Sequence, residues 1–265
     1  MEDFMRKILL LSLLVLCGSL QAQRPFYALL LHDKSSLSEY HKQDMKKMES
    51  FIKKFCSLAH LDAKITKKDV SDIYLSDISK WQHAANERQK YFFVYYSGSR
   101  GSRYALDDFS CIKLKDDELV TAQDIASMLI FPNRANFTTV LFDCYDSKVQ
   151  VRTRFEMPKI RQDKKSYKGT RNLLCKHHDS IAISTQHGSC SYGIEHGKFK
   201  CGLLTCVFMK ELASAEDGAS WKSTMKKIEK NCELLRIGKQ AIKFDQTTIY
   251  DLSATMSPES MWRIK

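Results

Sequence analysis

Residues 138–148 read TTVLFDCYDSK, from Thr138 to Lys148. The first part is apolar and β-branched, as a buried strand requires, and it breaks abruptly into Asp143, Cys144, Tyr145, Asp146 and Ser147. In an open α/β sheet ligands bind outside the carboxyl ends of the parallel strands, so a strand that runs into polar side chains marks a candidate site. A second stretch has the same form. Tyr91 to Gly98, YFFVYYSG, is a continuous aromatic and β-branched run that stops at Ser99, Arg100 and Gly101.

Outward from these two strands the chain alternates between short apolar runs and helical periodicity. Phe26 to Leu31 is long enough for a central strand and too short for a helix. From Leu37 to Leu58, Tyr40, Met45, Met48, Phe51, Ile52 and Phe55 recur at three- and four-residue steps with lysines opposite, which predicts an amphipathic helix whose stripe packs in the core; Ser38 is a candidate cap. Further strands are expected over 63–70, 180–185 and 247–252, and helices over 76–88, 121–129, 202–212 and 221–237. Residues 102–119 read as irregular with short extended pieces. Strands alternating with helices imply an α/β fold, a mostly parallel sheet of about six strands sandwiched by helices.

Composition bounds the rest. A chain of 265 residues with 43% hydrophobic content and only 10 Gly and 4 Pro has material for one core and little for linkers, so a single domain is expected over 23–265. The formal charge of +11 suits an anionic partner or surface, but no nucleic-acid recognition motif accompanies it and none is expected to bind. Residues 148–178 are rich in Lys and Arg with almost no apolar periodicity, and read as a basic loop inside the domain. That loop is either a surface excursion or a segment for tryptic-type processing or polyanion contact.

The first residues follow a secretory pattern: Arg6 and Lys7, the apolar run Ile8 to Leu16, then Gly18, Ser19 and Ala22 before polar Gln23. The expectation is a signal peptide over 1–22 and an exported chain, periplasmic or secreted, with no transmembrane span after its removal. Initiation at Met5 would drop Glu2 and Asp3 and leave a cleaner signal. Cys17 follows Leu16, where lipid attachment wants a small residue. The remaining cysteines, Cys56, Cys111, Cys144, Cys175, Cys190, Cys201, Cys206 and Cys232, are even in number and contain no CxxC pair. They read mostly as small buried hydrophobes with one or two bridges among them, and neither a metal nor another cofactor is expected.

Taken together these segments resemble the caspase-like cysteine peptidases, in particular the bacterial metacaspase branch. In that family one strand ends in Ser-Gly-His-Gly, with the His as general base, and another ends in Asp-x-Cys-x-Ser-Gly, with the Cys as nucleophile. YYSGSRG is similar to the first and LFDCYDSK to the second. Ser180 to Gln186 with Glu195 and the run Gly202 to Thr205, Asp245 to Thr247 near the last strand, and Asp44 in the first helix resemble further family positions. The resemblance extends from Phe26 to Leu252 and implies a caspase-like fold.

It also implies which residues stand at the catalytic positions. The family His falls on Ser99 and the family Cys on Tyr145, with Lys148 in place of the Gly. Neither serine nor tyrosine replaces an imidazole and a thiolate in peptide cleavage. Cys144 is the fallback nucleophile, yet on a strand a one-residue offset aims its thiol at the opposite face unless the turn is rearranged. His177, His178, His187 and His196 are replacement bases in principle. By the same resemblance Asp143 and Ser147 are the substrate-binding candidates, Asp143 either binding a basic side chain or being satisfied by nearby donors.

Three functional readings follow. The favoured one is an exported pseudopeptidase that binds a peptide or protein partner, including basic segments, without cutting it. The second is an active endopeptidase with Arg/Lys specificity acting through Cys144. The third is a basic protein that holds an anionic envelope surface.

Overall fold

The computed structural model describes residues 24–33, 38–84, 91–101, 111–130, 137–145, 148–150, 166–176, 180–185, 193–196, 199–233, 236–237, 240–241 and 247–251. The expected signal segment, Ser147, His177, His178, His187, Asp245 and Gln246 lie outside the described residues.

Nine residues of apolar character, Arg24–His32, form β1, and helix α1 follows at Ser38–Ala59. Next come β2 (Leu61–Asp69), a short 3-10 turn, α2 (Leu75–Ala84) and β3 (Tyr91–Gly98). The expected irregular stretch is a small hairpin of β4 (Cys111–Lys113) and β5 (Leu119–Thr121) where described, leading into α3 (Ala122–Ile130) and then β6 (Phe137–Cys144). The second half holds β7 (Lys148–Gln150), α4 (Ser166–Arg171), β8 (Ser180–Thr185), β9 (Gly193–His196), β10 (Phe199–Gly202), α5 (Leu203–Ala213) and α6 (Trp221–Glu233). Two short strands, β11 (Arg236–Ile237) and β12 (Gln240–Ala241), precede β13 (Thr247–Asp251).

Six strands make one sheet in the order β13-β8-β6-β3-β1-β2. All neighbours run parallel except β13, which closes the edge antiparallel to β8. The fold is therefore α/β with a mostly parallel sheet, as the alternation of strands and helices implies.

Strand β3 sits in the middle of this sheet, and all eight of its residues are buried. That is why its sequence is a continuous apolar run without polar alternation. On one face Leu30, Phe93, Tyr95, Leu141 and Ile183 pack with the apolar stripe of α1 and with α5 and α6. On the other Leu31, Val94, Tyr96, Val140, Phe142 and Ala182 pack with Ile78 of α2 and Ile125 and Leu129 of α3. Each large side chain so buried contributes about 1.5–3 kcal/mol.

The structure corrects two boundaries. Within the expected basic loop, Lys148–Gln150 is strand β7, paired with β9, and 166–171 is helix α4, continuing as a π-helical turn over Asn172–Lys176. Leu173 and Leu174 are buried there, and the Trp221 indole N–H donates to the Leu173 carbonyl at 2.7 Å. A pair of adjacent leucines among Lys and Arg carries no period, so its burial could not be read from spacing. The last helix ends at Glu233, and Ile237, expected within it, lies instead in β11.

Candidate functional site

Strands β3 and β6 are adjacent and parallel, with Ser97 opposite Asp143 and Gly98 opposite Cys144. Both candidate stretches thus end side by side at the carboxyl edge of the sheet. The Tyr145 N–H donates to the Gly98 carbonyl at 3.1 Å, which extends this contact one residue beyond β6.

The strand alternation then separates the polar cluster. Cys144 is buried with Val140 and Phe142 in the core under α2 and α3. Asp143 and Tyr145 turn to the other face, toward α1 and the β10–α5 corner. Ser99 lies just past β3, its N–H 3.3 Å from Asp33 Oδ2 and its carbonyl accepting the Tyr96 hydroxyl at 2.6 Å. His196 belongs to β9, and its side chain is not described.

Helix α1 brings two polar side chains into its apolar stripe, His41 and Asp44, both fully buried. Asp44 Oδ2 accepts from the Tyr145 hydroxyl at 2.7 Å, from Ser97 Oγ at 3.2 Å and from the Gly202 N–H at 2.9 Å; the Gly202 N–H also lies 3.0 Å from Oδ1. His41 Nδ1 is 3.1 Å from Ser97 Oγ. Because the Ser97 proton goes to Asp44, this bond requires His41 to donate from Nδ1. The His41 ring also lies 4.6 Å, centroid to centroid, from the Tyr145 ring.

A second chain of bonds runs beside the first. Asp143 Oδ2 accepts from the Thr205 N–H at 2.8 Å and from Thr205 Oγ1 at 2.6 Å. Thr205 Oγ1 is 2.7 Å from the Tyr95 hydroxyl, so the phenol donates to the threonine. Two relays, His41–Ser97–Asp44 and Tyr95–Thr205–Asp143, therefore end on two buried carboxylates.

Those carboxylates feel each other. Burial, and after it the charge of Asp143, push Asp44 up to about 7, against the pull of the Tyr145 and Gly202 bonds and of the Lys47 charge. Lys47 sits one turn along α1 and donates to the Lys200 carbonyl of β10; burial brings its ammonium down to about 8, with Asp44 pulling the other way. Tyr145 and Tyr95 are pushed far above the usual phenol range, first by burial and then by the Asp44 and Asp143 charges, so both stay protonated donors.

The corner between β10 and α5 closes the site. Gly202 is the N-cap of α5 and has no side chain with which to cap it. Asp143 supplies the missing acceptor across the fold, taking the N–H of Thr205, the third residue of the helix. A Cβ on Gly202 would lie 2.1 Å from Asp143 Oδ2 and 2.8 Å from Tyr145 Cε1. Glycine is there because the carboxylate and the phenol need its space. Cys201 and Cys206 flank the same corner and are joined by a disulfide; Cys56 and Cys175 are free thiols.

The site therefore gathers Ser97, Asp143, Tyr145, Asp44, Gly202 and Thr205, each matched to a family position by the sequence, and adds His41 and Tyr95. His41 and Asp44 are three apart on a helix face otherwise built of Tyr40, Met45 and Met48. Two polar residues on an apolar stripe at that spacing were the available signal. With Asp44 and Asp143 buried and bonded, the arrangement can share and hold protons. Among the described residues no cluster of His, Cys, Asp and Glu has metal-binding geometry, and no helix is long and apolar enough to cross a membrane.

No family model matches the chain, and no curated protein matches it. Among solved structures it is similar to the Drosophila initiator caspase Dronc, at 8% identity and TM-score 0.48 over 85% of this chain and 78% of that one. It is similar also to pro-sf-caspase-1, at 7% identity and TM-score 0.48 over 86% and 91% respectively.

Proposed function

We propose that this chain is a caspase-like domain without peptidase chemistry, a pseudopeptidase that binds a peptide or protein partner in an exported setting. The observation that carries the reading is Tyr145. It stands at the position matched to the family nucleophile, fully buried, with its hydroxyl given to Asp44. A neutral phenol held by a carboxylate is no substitute for a thiolate. The adjacent thiol, Cys144, is enclosed in the opposite core. The position matched to the general base is Ser99, which cannot move a proton near neutral pH.

Two further features support the reading. Asp143, which by resemblance would hold a basic substrate side chain, spends Oδ2 on Thr205 instead. The Cys201–Cys206 bridge suits an oxidising compartment, in keeping with the secretory pattern at the N-terminus.

Purified protein incubated with fluorogenic Arg- and Lys-containing peptides, beside a Cys144→Ala variant, tests this. The expected result is no turnover by either protein. Turnover by the parent that disappears in the variant would overturn the proposal in favour of an endopeptidase acting through Cys144.

A further inference from the structure

The disulfide encloses a six-residue ring, Cys201-Gly202-Leu203-Leu204-Thr205-Cys206, that spans the end of β10 and the first turn of α5. Every donor that this corner gives to the two buried carboxylates lies inside that ring. They are the Gly202 N–H on Asp44 and the Thr205 N–H and hydroxyl on Asp143. The position is demanding, because the first turn of a helix has backbone N–H groups with no intrahelical acceptor and frays unless they are capped. Gly202 offers no cap of its own, so the turn depends on a carboxylate from β6 and on the crosslink around it.

The same corner faces two carboxylates that repel each other; if it moves, Asp143 loses both Thr205 bonds and Asp44 loses the Gly202 N–H while keeping Tyr145 and Ser97. Its only covalent tie to itself beyond the backbone is the bond between the two sulfurs. We infer that the Cys201–Cys206 disulfide is a redox control on this acidic corner, keeping the site closed when oxidised and releasing Gly202 from Asp44 and Thr205 from Asp143 when reduced. The chemistry needs a dithiol as the reductant. Its thiolate attacks one sulfur, the S–S bond breaks to a mixed disulfide, and the second thiol closes on the first. Cys201 and Cys206 leave as two thiols carrying the two electrons and two protons, and the reductant leaves as its own disulfide. Both cysteines are fully buried in the closed form, so a reductant reaches them during local opening of the corner rather than on the intact surface.

The inference concerns regulation of the site to which the preceding proposal assigns no peptidase chemistry. Its test reads a bond and amide exchange rather than peptide turnover, so the two proposals fail separately. Folded full-length protein is incubated with dithiothreitol under non-denaturing conditions, the redox state of each cysteine is mapped by mass spectrometry, and amide hydrogen exchange is followed. The expected result is a gain of two hydrogens on the 201–206 pair and exchange at Gly202 and Thr205 faster by about tenfold or more, with β1 and β3 protected as before. A Cys201→Ser/Cys206→Ser variant is expected to show the same local exchange without reductant. Three outcomes would overturn the inference: a bond that resists the dithiol while the protein stays folded, a cleaved bond with unchanged exchange at the corner, or loss of protection throughout the sheet on cleavage. The last would make the bridge a staple of the whole fold, and it is read on the reduced parent chain even if the double variant does not fold.

Discussion

The Tyr145 hydroxyl donates to Asp44 Oδ2 at 2.7 Å across 101 residues of chain, tying the end of β6 to the first helix. A buried phenol that loses its acceptor, or a buried carboxylate that loses its donor, pays the full desolvation of the group left behind. Tyr145→Phe keeps the ring against His41 and removes only the donor. The expected effect is a loss of about 1–3 kcal/mol in denaturant unfolding. Because the bond pulls Asp44 down, the same variant should also raise the pH at which Asp44 ionises. An unchanged midpoint would mean that the bond contributes nothing.

Stability should fall as the pH rises through the Asp44 range. Its carboxyl titrates near 3.8 when the chain is unfolded and at about 7 when folded, so between those values the folded state binds more protons. By linkage the stabilisation is fully present below about pH 4 and is lost progressively toward pH 7, an effect of about 4 kcal/mol for a shift of this size. His41 and Lys47 on α1, Tyr95 on β3, Asp143 on β6 and Tyr145 just past it surround the same carboxyl. Of these Lys47 acts oppositely above about pH 8, where the folded state gives up a proton that the unfolded chain keeps. Denaturant midpoints measured from pH 4 to 9 should therefore decline to a shallow minimum near pH 7 to 8. Asp44→Asn should flatten the acid side of that curve. A slope that survives the substitution would assign it to another group.

Gly202→Ala tests how closely the corner approaches the carboxylates. Its backbone angles suit any residue, so the obstacle is space alone. The added methyl meets Asp143 Oδ2 at 2.1 Å, and Asp143 cannot withdraw without abandoning Thr205. Overpacking of this kind costs about 1–3 kcal/mol or more. The expected variant is less stable by at least that amount and shows faster amide exchange at Thr205. Full stability would mean that the corner has room to spare.

The parts of this fold that were legible in the sequence are those whose burial is continuous. YFFVYYSG and TTVLFDC are apolar throughout because β3 and β6 are covered on both faces, and period-2 alternation was enough to place Cys144 and Tyr145 on opposite sides. The stripe of α1 is legible for the same reason. What was not legible depends on partners distant in the chain. Thr205 meets Tyr95 over 110 residues and His41 meets Ser97 over 56, and no local pattern announces such pairs. Strands as short as GIEH and FKCG, which form β9 and β10, have too few residues to show any period.

Adjacent residues 144 and 145 make opposite predictions. Tyr145 belongs to the polar network, while Cys144 packs with Val140, Phe142 and Ala182 on the other face and is 1% exposed. Cys144→Ala removes a small apolar group from a dense core, so a loss of roughly 1–2 kcal/mol is expected with no change in any binding property of the site. The thiol should also be inert. Iodoacetamide at about pH 8 reacts with exposed thiolates, and a thiol enclosed in a packed core does not offer it access. Cys56 serves as an internal comparison: burial, and then the charge of Asp62, push it up to about 12, and Cys175 is raised too, by burial and then by Cys56. Peptide mapping after alkylation of the folded protein should leave all three unlabelled until denaturant is added. Rapid labelling of Cys144 in the folded state would place its sulfur at the carboxyl edge of the sheet after all, and would reopen peptide cleavage through it.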